Sequence, residues 1–416
     1  MKNILIAIRS IFKKGRHNVM KIVSLGIGLA LGLVLIAKVY FEQSYDDFYP
    51  DRDRVYQVWA KYQQNGGELK DYPQTSGGIA PTMQQQIPEI ETVTRYTSFG
   101  DWTFTMTDTK MKYSGRCIIA DSCFFDILPR PMLIGNAKEV LSIPMYVLVS
   151  SRIAKNIGGD VIGKNFTVDS SPGRTMTIGG VFEEVPENSH SRYDVIVSMA
   201  SASRFMWEGS PTNMLGNDRY ISYVKLHKGV NPLALEEQVH TFVNSYFPPE
   251  EQQKTGFNIG FSFHELDGLH KELPQVKRMT WILSLLAFAL IFTAVMNYIL
   301  IVISSIVNRS KEVAVHKCYG ASENNIHGMM FGEALVHIVL SLILALLLIL
   351  AFRGTVEELL ATSLDSLLLS NGSLVLLGIC ILVFFVSGFM PGSLYARIPV
   401  ASAFRNYREN KRIWKK

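Results

Sequence analysis

The sequence predicts an α-helical membrane protein with four transmembrane helices and a large α+β extracytoplasmic domain between the first and second. Three observations carry this reading. Four apolar runs are each long enough to cross a bilayer, which takes about 20 residues. Lys and Arg crowd into three flanks of those runs. One stretch of about 235 residues, 42–276, is the only part between runs long enough to fold as a domain.

Residues 1–21 hold six Lys or Arg and no acid. The first span, 22–41, is interrupted only by Lys38. It comes after a basic stretch, as a signal peptide would, but no small-residue cleavage site succeeds it. The chain continues as "AKVYFEQSYDDF", which is bulky and charged, so the segment reads as an uncleaved anchor.

Within 42–276, "RVYQVWAKY", "RTMTIGGVF" and "RYISYVKLH" have the Val, Ile, Tyr and Thr content of strands. "SGGIAPTMQQQIPEI" and "NPLALEEQVHTFVNSYF" read as helices. Gly, Pro and Ser near 170–173 and 208–217 predict loops.

The second span lies in 277–307 and carries no charge from Trp281 to Val307. The third, 326–352, holds one acid, Glu333, and the fourth, 374–395, holds none. Between the last two, 353–373 is acidic and amphipathic, which suits a short capping helix. The loop 308–325 and the tail 396–416 are basic. Outside these flanks, acids outnumber bases, 33 to 25. The positive-inside rule therefore puts both termini and 308–325 in the cytoplasm. That rule accounts for the basic flanks without nucleic acid.

Several chemistries are excluded or weak. "GGDVIGKN" imitates a phosphate loop, but Asn165 stands where Ser or Thr must reach the metal. A Gly-rich turn is expected there. No H-E-x-x-H or Cys-x-x-Cys occurs, so no metal site is expected. His190, His264 and His270 sit among polar residues and read as solvated loop positions. Cys117 and Cys123 are close enough in sequence to pair, but the spacing alone does not argue it.

Ionisable groups inside a span are expensive and normally face protein or water. Glu333 lies ~10 Å into its helix at ~1.5 Å per residue, with His337 one turn on. Asn297 and Thr293 share a face of the second span. Interhelical hydrogen bonds are the expected role of Asn297, Glu333 and His337.

The 308–325 loop carries "KEVAVHKCYGAS". Ser310 suits an N-cap, Glu312 the first turn, Lys317 the last turn and Gly320 the C′ position. At about 100° per residue, Ala314, Val315, Cys318 and Tyr319 form one apolar arc, flanked by Glu312 and His316. This is a short amphipathic helix joining two spans, placed to dock a cytoplasmic partner.

The segment "MNYILIVISSIVNRSKEVAVHKCYGASENNI" resembles permeases of the MacB/FtsX type, the membrane subunits of certain ABC transporters. Lys311, Glu312, Val313, Val315, Lys317, Gly320, Ala321 and Ser322 match the family's pattern, and Asn297 falls on its preceding Asn. His316 stands where Arg is commoner. Glu333 suits the acid usual in the third span. "FEQSYDDFYPDRDRVYQV", "FFDILPRPMLIGNAKEVL", "VSSRIAKNIGGDVIGKNF" and "GGVFEEVPENSHSRYDVIVSM" resemble successive family blocks, in order.

The resemblance implies that 311–320 is a coupling helix seated on an ATPase subunit carried by a separate chain. ATP and Mg then belong to that partner. This chain is expected to bind no cofactor and to be no enzyme. Paired docking surfaces need a second permease copy, in a homodimer or heterodimer. A periplasmic adaptor or outer-membrane channel, and the lipids of a bacterial inner membrane, are further implied partners. The implied work is export or extraction of a drug, peptide or lipoprotein. The alternative is an FtsX-like signal transmitter that moves nothing; those relatives tend to have smaller outer domains. A sensor would need a cytoplasmic output domain longer than these flanks, and no residue constellation supports an outer-leaflet enzyme.

Overall fold

The computed structural model describes residues 18–304 apart from 170 and 217, then 322–369, with isolated positions at 315, 318–320, 375, 378, 379 and 382. The chain divides into two compact units. One comprises Met1–Gln43 with Pro274–Lys416, the other Ser44–Leu273. The division falls within three residues of the sequence boundaries 42 and 276.

In the first unit, three described helices are long and apolar enough to span a membrane: Asn18–Gln43, Pro274–Ile303 and Phe331–Ala351. The expected fourth span, 374–395, lies almost wholly outside the described residues. We label Asn18–Gln43 α1. It packs on both other helices through glycines. A Cβ on Gly28 would stand 2.2 Å from the Ala294 Cβ, and one on Gly32 would stand 2.4 Å from the Ile291 Cγ1. Gly26, on another face, would meet the Leu344 side chain at 2.9 Å. In lipid no hydrophobic force holds helices together, so close backbone approach and dispersion must do it. Leu25, Leu29, Ala294, Tyr298, Ile338 and Ala345 fill the seam.

The second unit is one 11-stranded sheet with helices on it. Its strands are β1 (Val55–Gln64), β2 (Lys70–Tyr72), β3 (Ile90–Met106), β4 (Lys112–Ala120), β5 (Met132–Ile134), β6 (Tyr146–Ser150), β7 (Asn165–Val168), β8 (Ser171–Phe182), β9 (Val195–Ser198), β10 (Ile221–Leu226) and β11 (Phe257–Glu265). They run in the order β11-β1-β10-β3-β4-β9-β6-β8-β5, with β2 beside β1 and β7 beside β3 and β8. The β4–β9 and β6–β8 pairs are parallel. Helices α2 (Ile79–Gln86) and α3 (Glu236–Tyr246) cover the β1–β10–β11 end through Met83, Val239, Phe242 and Phe261.

The three expected strands and both expected helices are present. The loop expected near 170–173 is tighter than that: Val168 already pairs with Ser171, where β8 begins. The Gly-Lys imitation is a turn. Gly158, Gly159 and Gly163 take positive φ, and the Lys164 ammonium donates to the Gly158 carbonyl at 3.3 Å. Cys117 and Cys123 are free thiols, Cys117 fully buried.

In the first unit, α4 (Pro274–Ser304) and α5 (Glu323–Ala351) each begin three residues before the second and third predicted spans. The capping segment is two short helices, α6 (Arg353–Leu360) and α7 (Leu364–Leu369).

Candidate functional site

The predicted coupling helix is described only at its end. Tyr319 N–H donates to the Val315 carbonyl at 3.1 Å, and Gly320 closes the turn at φ +85°. A left-handed residue at that place is how helices commonly stop. Val315 and Tyr319, from the predicted apolar arc, are both exposed. The Ser322 hydroxyl then caps α5 by accepting from Asn325 N–H. Lys311, Glu312, Val313, His316, Lys317 and Ala321 lie outside the described residues.

The intramembrane polar residues lie where α1, α4 and α5 meet. Asn297 Nδ2 donates to the Ser24 hydroxyl at 2.6 Å, an interhelical hydrogen bond. Glu333 and His337 are buried, and the His337 ring stands edge-on to Tyr298 at 6.2 Å. One turn further, the Ser341 hydroxyl donates to the Ile22 carbonyl at 3.1 Å. Lys21, which the sequence counts as flank charge, is also buried, 3.5 Å from Asn18 Oδ1. Asn18, Lys21, Glu333 and His337 are therefore buried in this unit, whereas Asn297 stays exposed.

At the other end of α1, Lys38 turns to protein. Its ammonium bonds the Leu360 carbonyl at 2.6 Å, the Thr362 hydroxyl at 3.2 Å and the Glu42 carboxylate at 2.6 Å. The single charge inside the first span thus fixes α6 to that helix.

In the outer domain, the two chain ends are tied to each other. Ser44–Arg54 comes directly after the first span, and Asp267–Leu273 precedes the second. The Tyr45 and His270 rings stack at 3.5 Å. Arg52 reaches Asp47 at 2.9 Å and Asp267 at 3.1 Å. Lys271 reaches the same two acids at 2.9 and 2.8 Å. Burial alone would lower the Lys271 pKa, but its two carboxylates outweigh that and raise it.

A second, buried tier lies behind this ring. Asp46 takes a left-handed φ of +61°, which Asp tolerates better than most residues. Its Oδ1 accepts from the Ser189 hydroxyl at 3.1 Å and from His190 N–H at 3.2 Å. Its Oδ2 lies 2.8 Å from His190 Nδ1, and His190 Nε2 lies 2.6 Å from the Tyr223 hydroxyl. Asn188 closes the tier: its side-chain amide donates to the Ser44 carbonyl, and its own carbonyl accepts from Asp46 N–H. Burial, reinforced by the Asp46 charge, raises the Tyr49 pKa, so that phenol stays neutral.

This corrects the sequence reading of the histidines. His190 is a half-buried bridge, His264 stacks on Trp59 at 4.1 Å, and His270 stacks on Tyr45. Their polar sequence neighbours suggested solvation; their partners are distant in sequence. Asp194, in the same block as His190, is also structural. It accepts from Arg116 N–H at 2.9 Å and from Arg152 at 2.5 Å, stitching β4 to the helix after β6. Among the described residues no group of His, Cys, Asp and Glu could hold a metal.

Comparison with known proteins finds two family matches, the first of which takes in α1 as well as most of the outer domain. Residues 20–242 match the family described as the MacB-like periplasmic core domain, and residues 284–400 match the FtsX-like permease C-terminal region. Three solved domains are similar. One, from a protein of Porphyromonas gingivalis named only as a candidate permease, is 32% identical, with 52% of this chain and 91% of that one covered and a TM-score of 0.48. The periplasmic region of MacB from Actinobacillus actinomycetemcomitans is 16% identical over 53% of this chain and 92% of that one, TM-score 0.34. The extracellular domain of the ABC-type transporter YknZ from Gram-positive bacteria is 10% identical over 49% and 98%, TM-score 0.34. No curated protein gives a significant match.

Proposed function

The chain belongs to the permease family that joins a MacB-like periplasmic core domain to an FtsX-like C-terminal region, and from that premise we propose that it is the membrane subunit of a MacB-type ABC transporter. ATP and Mg are bound and consumed by a separate cytoplasmic ATPase. The 311–320 helix seats on that ATPase, in a complex with two permease copies. The protein lies in a bacterial inner membrane with four spans and both termini in the cytoplasm. Motion of the helices drives the outer domain, which exports or extracts a drug, peptide or lipoprotein.

The observation that carries this reading is the tie between the outer domain's two chain ends. A push delivered through either span meets Asp46, Asp47, Asp267 and Lys271 within a few residues of entering the domain. Lys271 bonds Asp47 and Asp267, and Asp46, next to Asp47 in the chain, is joined through His190 to Tyr223 on β10. A domain that merely displayed a ligand would not need its two chain ends locked together. A domain worked from the membrane does.

The test is purification of the tagged chain from its own membranes in mild detergent, with and without trapped nucleotide. A stoichiometric ATPase is expected. Its absence even after crosslinking would sink the proposal. Given the complex, reversing charge at both Glu312 and Lys317 should leave membrane insertion intact and uncouple hydrolysis from work. Normal coupling would remove the 311–320 helix from the mechanism.

A further inference from the structure

The outer domain carries an aromatic cleft that has no part in the tie between the chain ends. It has a volume of about 510 Å³ and is lined by Tyr62, Tyr72, Phe257, Leu215, Gly216 and Asp218. The ring centroid of Tyr62 lies 5.5 Å from that of Tyr72 and 5.2 Å from that of Phe257. The volume suits one small organic molecule, since such sites run to several hundred cubic ångströms.

One polar group in the cleft has an unusual position. Asp218 is half-buried, and both its oxygens are held by neutral donors. The Tyr62 hydroxyl donates to Oδ2 at 2.6 Å, and the Ser76 hydroxyl donates to Oδ1 at 2.5 Å. Burial and this bond keep the Tyr62 phenol protonated, so the donor is secure. Two hydroxyls fix the carboxylate without neutralising it. Among the described residues no Lys, Arg or His forms an ion pair with Asp218, and its neighbour Arg219 is exposed.

A fixed negative charge beside three clustered aromatic rings favours one kind of ligand. The ring faces carry negative quadrupole density, so they favour a cation, and they exclude a strongly hydrated one. Anions are repelled by both elements. A neutral apolar molecule would bury ring surface and gain nothing from the carboxylate.

We infer that this cleft binds a small organic cation, an ammonium carrying an apolar body, with its charge near Asp218 and its body against Tyr62, Tyr72 and Phe257. The site stands whether or not that cation is what the protein moves. Its test needs no ATPase, so its failure and the failure of the permease reading are separate events.

The experiment is calorimetric titration of the full chain in lipid nanodiscs with benzyltrimethylammonium, with empty nanodiscs as the blank. Benzyl alcohol and benzoate serve as neutral and anionic counterparts. Binding of the cation alone is expected. Asp218→Asn keeps a carbonyl acceptor and removes the charge, and it should weaken binding by about tenfold or more. Tyr72→Ala, at a well-exposed position where folding is not at stake, should weaken it several-fold. No binding of the cation, equal binding of benzyl alcohol, or wild-type affinity in both variants would overturn the inference. So would binding of Nα-acetyl-lysine methylamide alone, which would make the occupant a partner protein's side chain.

Discussion

The buried tier behind the chain ends is the part of the proposed mechanism that one side chain can test. Asp46→Ala removes the acceptor of three hydrogen bonds, from the Ser189 hydroxyl, His190 N–H and His190 Nδ1. The site is almost fully closed to water, with Asp46 1% exposed, so solvent cannot replace them. Leaving buried donors without their acceptor costs about 1–3 kcal/mol each, more where the acceptor carried charge. Holding Ala at a left-handed φ costs about 1 kcal/mol more. Part of this is recovered by relaxation, so a local loss of ~3 kcal/mol is a fair expectation, or roughly 100-fold in the local opening constant. Asp46→Asn keeps one acceptor oxygen and a residue type that tolerates the backbone, and it should lose only ~1–2 kcal/mol. Hydrogen exchange of the full chain in nanodiscs reads this directly. The Asp46 and Tyr49 amides, which donate to the Asn188 and Asp46 carbonyls, report the opening. Amides of β6 and β9 are the control. The order wild type, Asn, Ala is expected at 44–49 with the control strands unchanged. Equal protection in all three proteins would refute the idea that this carboxylate locks the chain end.

Other contacts give three further expected outcomes. Gly28→Ala should lower the thermal inactivation temperature in detergent by an overpacking penalty of about 1–3 kcal/mol, because its Cβ would stand 2.2 Å from that of Ala294; Ala294→Gly in the same chain should restore part of it, and no rescue would put the close approach elsewhere. Lys38→Met leaves Glu42 buried without its cation and should cost about 3 kcal/mol, whereas Lys38→Met with Glu42→Gln should cost less; a double variant worse than the single one would show that the pair is not the dominant contact. Asp51 bonds Lys225 and Arg54, which hold its pKa below the usual carboxylate value, and Arg54 does the same to Glu91. A carboxylate whose folded pKa is depressed stabilises the fold above its unfolded pKa, and that stability fades as pH falls through the lowered value. Asp51→Asn should therefore flatten the acid limb of a stability–pH curve, by under about 1 kcal/mol given its exposure; an unchanged acid limb would dismiss the pair as a contributor.

The three described apolar helices were legible because lipid demands apolar residues over a whole helix, and composition records that demand without any partner. The end of the 311–320 helix was legible for a similar reason: Gly320 is a local requirement met by a local residue. The tie between chain ends was not. Asp46 and His190 are 144 positions apart, and Asp47 and Lys271 are 224 apart, so no periodicity links them. "FEQSYDDFYPDRDRVYQV" and "GGVFEEVPENSHSRYDVIVSM" were visible as separate blocks, and the polar neighbours of His190 suggested a loop in water. β3 escaped for a different reason. Its alternation breaks at Gly100, where the register with β4 shifts and φ is +73°. The glycines of α1 were visible at helical spacing, but Ala294, which makes Gly28 necessary, lies on another helix.

The two tiers of the tie differ in how they will yield. In the outer ring Asp47, Arg52 and Asp267 are each about a third or more exposed, so each pair contributes under about 1 kcal/mol and is screened by salt. The inner tier is screened far less because Asp46 is sealed from water. If a moving span strains this junction, the outer ring opens first while Asp46 and His190 keep the chain seated. That order gives the domain a compliant outer contact over a stiff inner one. Raising salt from low ionic strength to about 1 M, where the screening length falls to about 3 Å, separates the tiers. Exchange at the Glu272 and Leu273 amides, which donate to the Gly268 and His270 carbonyls beside the ring, should quicken while the Asp46 amide stays protected. Salt-sensitive exchange at Asp46 with none at Leu273 would reverse the hierarchy, and the chain end would then be held by the surface charges instead of the buried carboxylate.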